Sequence, residues 1–249
     1  MKLIGAGLSL LLTLVFDNTS GAAELRLLVT NGIKPVVTDL APSFESSSGH
    51  KLIVSYQGSN FLQADILRGD SFDATMLIAG NMDAVAKANK INPSSRMNIA
   101  RSGLGVVVRA GQPKPDISTA DAFRRTMLNA KSIAFASKGA SGLHFMKICE
   151  QLGIADAVMA KARTKPSGMV AEFVASGEAE LAIQQMSELI SVKGTDLVGP
   201  FPAELDLVSK IEGAVSANSS QSQGALQFLN FFATPSAIKV IKAYGMEPG

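Results

Sequence analysis

One cysteine and two histidines leave little from which to build a metal cluster or a disulfide framework. Neither a metal site nor a cofactor is expected. Charge of one sign is also scarce. The formal net charge is +2, which gives no electrostatic case for nucleic acid. No internal repeat and no low-complexity segment is visible. Long apolar runs are missing too: the run Leu3 to Phe16 is too short to span a bilayer comfortably. It follows Lys2 and gives way to Asp17, Asn18, Thr19 and Ser20, then to the small residues Gly21, Ala22 and Ala23. A charged start, a short apolar run and a small-residue zone read as a signal peptide over residues 1–23. No cysteine stands at that junction, which argues against a lipid anchor. The remaining chain is expected to be exported, soluble, periplasmic and monomeric, with one large or two small domains.

The most informative stretch is Ser132 to Gly153. Ile133 and Phe135 suit a buried strand, and Leu143, Met146, Ile148, Cys149 and Leu152 recur at helical spacing. Between them, Lys138, Gly139, Ala140, Ser141 and Gly142 form a tight turn. A helix that starts this way leaves backbone N–H groups free, and these with the helix dipole suit an anion. The same glycines also fit an ordinary turn between strand and helix, and both readings stand. Lys138 and His144 add positive or switchable charge nearby. Cys149 lies on the apolar helix face and reads as a core thiol.

Strand and helix signals alternate along the whole chain. Strands are expected at Leu25–Thr30, Lys51–Tyr56, Phe72–Ile78, Ser102–Arg109, Leu181–Gln185 and Lys210–Ala217. Helices are expected from Pro35, over Phe61–Arg68, Met82–Ala88 and Thr119–Asn129, through Ile190, and over Gln223–Phe232 and Pro235–Tyr244. Ser59 or Asn60 can cap the helix that follows Gly58. Lys165 to Glu180 reads as a loop and helix, and Val198 to Pro202 as a breaker. Repeated strand–helix units argue a mostly parallel sheet covered by helices.

In this order the segments Leu28 to Gly80, the central loop, Ser176 to Ile190 and the terminal AYGMEPG resemble the molybdate-binding family of periplasmic solute-binding proteins. The resemblance covers essentially all of the chain after residue 23. It implies an α/β protein of type II architecture: two mixed-sheet lobes joined by a two-strand hinge. Residues 24–105 and 209–249 would form lobe I, and residues 106–208 lobe II. It further implies a small anion in the cleft between the lobes and ABC transporter membrane subunits as partners. Position by position, the ligand contacts fall on Asn31 and Gly32, on Ser59 and Asn60, on Ala140, Ser141 and Gly142, on Ser167, and on Gln185. Those are also loops at helix starts and strand ends, where open α/β sheets bind ligands. From the residues alone, Ser59 and Asn60 can equally be caps only, and either Gln184 or Gln185 can face the cleft.

Three positions depart from the molybdate pattern. Gly32 stands where those binders carry a serine, Gln185 where many carry a tyrosine, and His144 has no clear counterpart. Losing two hydroxyls would open space and favour an organic polycarboxylate over molybdate. Two functions follow. One is a solute-binding protein that captures an oxyanion or polycarboxylate for an importer. The other is an isomerase of a tricarboxylic acid, as in the similar aconitate isomerases, with His144 as the proton-moving group. His144 can also be a satisfied helix residue with neither role.

Overall fold

The computed structural model describes residues 21–205 and 208–249. All but the last three residues of the expected signal peptide lie outside the described residues. So do Asp206 and Leu207.

β1 (Glu24–Thr30) places Leu25, Leu27 and Val29 inward, and a 3-10 turn (Asn31–Ile33) leads directly into α1 (Lys34–Ser48). Pro35 occupies the first turn of α1, where its missing N–H costs nothing. β2 (Lys51–Gln57), α2 (Ser59–Arg68), β3 (Ala74–Ile78) and α3 (Ala79–Lys87) continue the alternation. β4 (Met97–Ser102) completes this part of the first sheet. After Gly103 the chain enters a second sheet with β5 (Leu104–Arg109). That half contains α4 (Ala120–Asn129), β6 (Ile133–Ala136), α5 (Ala140–Gln151), α6 (Ala155–Met159) and β7 (Ala162–Lys165). It closes with α7 (Ala171–Ser176), β8 (Leu181–Gln185), α8 (Met186–Ile190) and β9 (Thr195–Pro200). β10 (Ser209–Val215) returns to the first sheet. α9 (Ser222–Phe231), α10 (Pro235–Ala243) and the short β11 (Glu247–Pro248) end the chain.

The first sheet runs β11-β4-β10-β3-β1-β2 and the second β7-β6-β8-β5-β9. β1 is parallel to β2 and β3, whereas β10 is antiparallel to β3 and β4. β6 is parallel to β7 and β8, whereas β5 is antiparallel to β8 and β9. Both sheets are therefore mixed rather than mostly parallel. Each passage between lobes delivers a strand from the opposite direction, and no single βα repeat encodes that. Each lobe has its own core. Phe44 packs edge-on against Phe228 and Phe231 in the first, at 5.2 and 5.5 Å. Phe123, Phe145 and Phe201 cluster in the second.

Three expectations need correction. Ser102–Arg109 is not one strand, because Ser102 ends β4 in one sheet and Leu104 begins β5 in the other. Gly105 lies inside β5, opposite Gln184. Val198–Pro202 is not a breaker, because β9 runs to Pro200 at a sheet edge, where the proline's missing N–H deprives no neighbour. Lys165, expected to open a loop, is instead the last residue of β7.

Candidate anion site between the lobes

The carboxyl ends of β1, β2, β3, β6, β7 and β8 all lead to one small cavity between the two sheets. The first lobe contributes Thr30, Asn31, Gly32, Gly58, Ser59 and Ile78. Facing them are the loop from Ala136 to Ser141, Ser167 and Gly168, and then Gln184, Gln185 and Glu188. The cavity measures about 30 Å³, room for about two waters where about 10–15 Å³ holds one.

Backbone donors converge here. α2 starts from Gly58 and α5 from Gly139, and neither has a side-chain cap. The 3-10 turn after Thr30 is likewise uncapped by any side chain. Free first-turn N–H groups and the positive ends of two helices therefore face the same space. Among the described residues, no lysine, arginine or histidine lines it. Gly142 explains how α5 gets so near β6: a Cβ there would run into the carbonyl of Ala136.

The hydroxyls divide the work. Ser59 is buried, accepts from the N–H of Ile78 at 3.1 Å and donates to Thr30 Oγ1 at 2.9 Å. Its hydrogen is already committed, so the Thr30 hydroxyl is the one left to donate into the cavity. Ser167 Oγ accepts from Asn31 Nδ2 at 3.2 Å across the lobes, which leaves its own hydrogen for the cavity. The Ser141 hydroxyl has no hydrogen-bond partner among the described residues. Nearer the passages, Ser187 Oγ donates to the carbonyl of Gly32 at 2.6 Å and ties the lobes together.

Gln184 is a fixed strut. Its Oε1 accepts from the Val170 N–H at 3.0 Å, and its Nε2 donates to the Gly168 carbonyl at 2.8 Å and to Glu188 Oε1 at 2.7 Å. Burial pushes the Glu188 carboxyl up to about 8, against hydrogen bonds from the Gln185 backbone and the Gln184 side chain. Gln185 is buried with its Oε1 unpartnered among the described residues, and it occupies the space beside Gly32.

Seven of the residues singled out in the sequence meet at this cavity: Asn31, Gly32, Ser59, Ala140, Ser141, Ser167 and Gln185. Asn60, Gly142 and His144 are not among its lining residues. Asn60 bridges at the mouth, donating to the Lys138 carbonyl at 3.4 Å. Lys138 itself is exposed. His144 is half-buried on α5, with Nε2 buried and unpartnered among the described residues. Neither Ser59 nor Asn60 caps α2, because Gly58 holds the cap position. The expected widening at positions 32 and 185 is also absent, since the Gln185 side chain fills what Gly32 leaves. Thr30 and Glu188 were not anticipated. Glu188 stands three residues after Gln185, the residue before α8, and a capping-box spacing of that kind could have marked it.

Two mixed α/β lobes with helix-start loops gathered between them define a two-lobed architecture. The chain belongs to the bacterial extracellular solute-binding protein family, whose model matches residues 25–247. It is 32% identical over 230 residues to the aconitate isomerase of a Pseudomonas species, covering 90% of this chain and 87% of that one. The molybdate-binding protein ModA of Azotobacter vinelandii is 24% identical and covers 90% of each chain. Among solved structures, the periplasmic molybdate-binding protein of Azotobacter vinelandii matches with a TM-score of 0.77 at 20% identity, covering 90% of this chain and 99% of that one. The sulfate-binding protein SubI of Mycobacterium tuberculosis H37Rv gives 0.71 at 19% identity, covering 91% and 87%. Those two likenesses establish the fold. Among the described residues, no helix is long and apolar enough to cross a membrane, and no cluster of side chains could hold a metal ion.

Proposed function

We propose that this protein captures a small anion between its lobes in the periplasm and passes it to the membrane subunits of an ABC importer. The observation that carries this reading is the convergence of two uncapped helix starts and the hydroxyls of Thr30, Ser141 and Ser167 on one cavity without a cationic side chain. Such donors bind an anion through preset N–H and O–H groups and release it when the lobes part. An organic polycarboxylate is favoured over a tetrahedral oxyanion, since the relative named aconitate isomerase shares more identity than the molybdate-binding relative cited with it. A thermal-shift panel of molybdate, sulfate and di- and tricarboxylates tests this. A ligand at a hundredfold over its Kd stabilises by about 2.7 kcal/mol. If no member of the panel raises Tm, the reading is wrong.

A second reading, isomerisation of a tricarboxylic acid in the same cavity, is favoured by two observations. One is the 32% identity to a protein named aconitate isomerase. The other is a titratable carboxyl, Glu188, among the lining residues. Moving a proton beside a carboxylate needs a group that titrates near the working pH, and Glu188 replaces His144 in that role. Incubation with trans-aconitate, followed by assay for the cis isomer, separates this reading from capture alone.

A further inference from the structure

Glu188 is the one titratable side chain lining the cavity among the described residues, and it is 4% exposed. It is held by uncharged groups only: the Gln184 amide at 2.7 Å and the Gln185 backbone. Gln184 cannot turn away, because its amide is also bonded to Val170 and Gly168. Among the described residues, the elements packed against α8 bring no compensating cation. The 3-10 turn and β8 carry no charge. On α1, Lys34 lies over the Tyr56 ring, Asp39 accepts from Tyr244, and Glu45 pairs with Lys51. On β9, Asp196 accepts from the Gly111 N–H, and on β5 Arg109 is exposed. At the carboxyl terminus Glu247 pairs with Arg101. None of these groups contributes to the balance of charge at Glu188.

An ionised carboxylate on the wall of a cavity built for an anion would repel its ligand at short range in a weakly screened interior. A neutral carboxyl has an O–H to donate instead. We propose that Glu188 is a specificity-determining residue whose proton is bound together with the anion, the neutral carboxyl donating to an oxygen of a small carboxylate or oxyanion. This rests on the anion-site reading above. The ligand and one proton then form a single bound unit. Burial alone already favours that proton in the free protein, up to about pH 8. Binding below that pH needs no proton from solution, and binding above it takes one up.

The test uses the exported chain, with trans-aconitate and molybdate as probes, and calorimetry from pH 6.5 to 9.5. Molybdate keeps constant charge over that range, and trans-aconitate over its upper part, where the uptake is read. Each titration is run in two buffers of different ionisation enthalpy, so that proton uptake is read directly. Kd should be flat at low pH and rise about tenfold per pH unit above about 8, with uptake approaching one proton. The Glu188→Gln variant should lose both the slope and the uptake, whatever its affinity at neutral pH. Should that variant fold poorly, the buffer comparison on the unaltered chain still decides. A probe that binds with constant Kd and no proton uptake up to pH 9.5 overturns this inference and leaves the anion site standing. Failure of both probes to bind at any pH removes the site reading and this inference with it.

Discussion

The side-chain amide of Gln185 lies against the bare Cα of Gly32, so closely that a Cβ at position 32 would come within 2.9 Å of Gln185 Cδ and closer still to its Oε1. Two of the three positions that depart from the molybdate pattern are thus a single packing feature. A small residue on one lobe accepts a long one from the other. Gly32→Ala should cost about 1–3 kcal/mol by overpacking, and Gln185→Ala should cost less. The double variant should be more stable than the sum of the singles implies, because removing the amide relieves the clash. Urea denaturation of the four chains measures that coupling. Simple additivity would mean that Gln185 moves aside freely.

Ser59 and Thr30 should fail differently. Ser59 Oγ is the buried partner of the Ile78 N–H. Ser59→Ala strands that donor and should cost about 1–3 kcal/mol of stability. Thr30→Val keeps the shape and removes the hydroxyl that faces the cavity. It also removes the acceptor of the Ser59 hydroxyl, so it should cost some stability, and it should weaken binding of the best probe by the worth of a charge-assisted hydrogen bond, about 1.5–3 kcal/mol. Equal loss of affinity in both variants, with no loss of stability in Ser59→Ala, would reverse these roles.

Local pattern carried the fold where each element reports its own burial. β8 was legible to the residue, because Leu181, Ala182 and Ile183 form a short apolar run between polar neighbours. α5 was legible from its helical spacing. β7 was not, because Ala162, Arg163, Thr164 and Lys165 form an edge strand with no fully buried residue. The split at Gly103 was hidden for another reason: apolar strand residues continue on its far side, and only tertiary pairing assigns the two strands to different sheets. At the site, loop positions followed from glycines and helix starts, and side-chain duties did not. Ser59 reads as a cap, yet its hydroxyl is spent on Thr30 and Ile78. His144 is a titratable residue that the sequence places beside the loop, whereas the carboxyl in the cavity wall sits in an unremarkable SELI turn.

Cys149 should be chemically silent in the folded protein. It is buried at 0% exposure, and burial pushes its thiol up to about 12. The thiolate that would attack an alkylating reagent is therefore negligible at neutral pH. Iodoacetamide at pH 8 should leave the native chain unmodified and label one site once urea unfolds it, as read by intact mass. Rapid labelling without denaturant would show that α5 opens from its lobe far below the global unfolding energy.

Stability itself should carry the signature of Glu188. Unfolded, its carboxyl ionises near the ordinary value of 4.5; folded, it ionises near about 8. Between those values the folded chain holds a proton that the unfolded chain has lost. Raising the pH therefore favours unfolding, with a slope from this group of up to about 1.4 kcal/mol per pH unit. The loss begins above about 4.5 and is complete once the folded carboxyl has also ionised. Glu188→Gln removes the group from the balance, so the difference in unfolding free energy between the variant and the parent chain should grow in the variant's favour from pH 5 to pH 8 and then level off. Urea midpoints for both chains at half-unit intervals give that difference directly, with other titrating groups cancelling. A difference that stays constant across the window would mean that the carboxyl ionises normally in the folded state. The cavity wall would then carry a negative charge at neutral pH, and an anion there would need a cation that its lining residues do not supply.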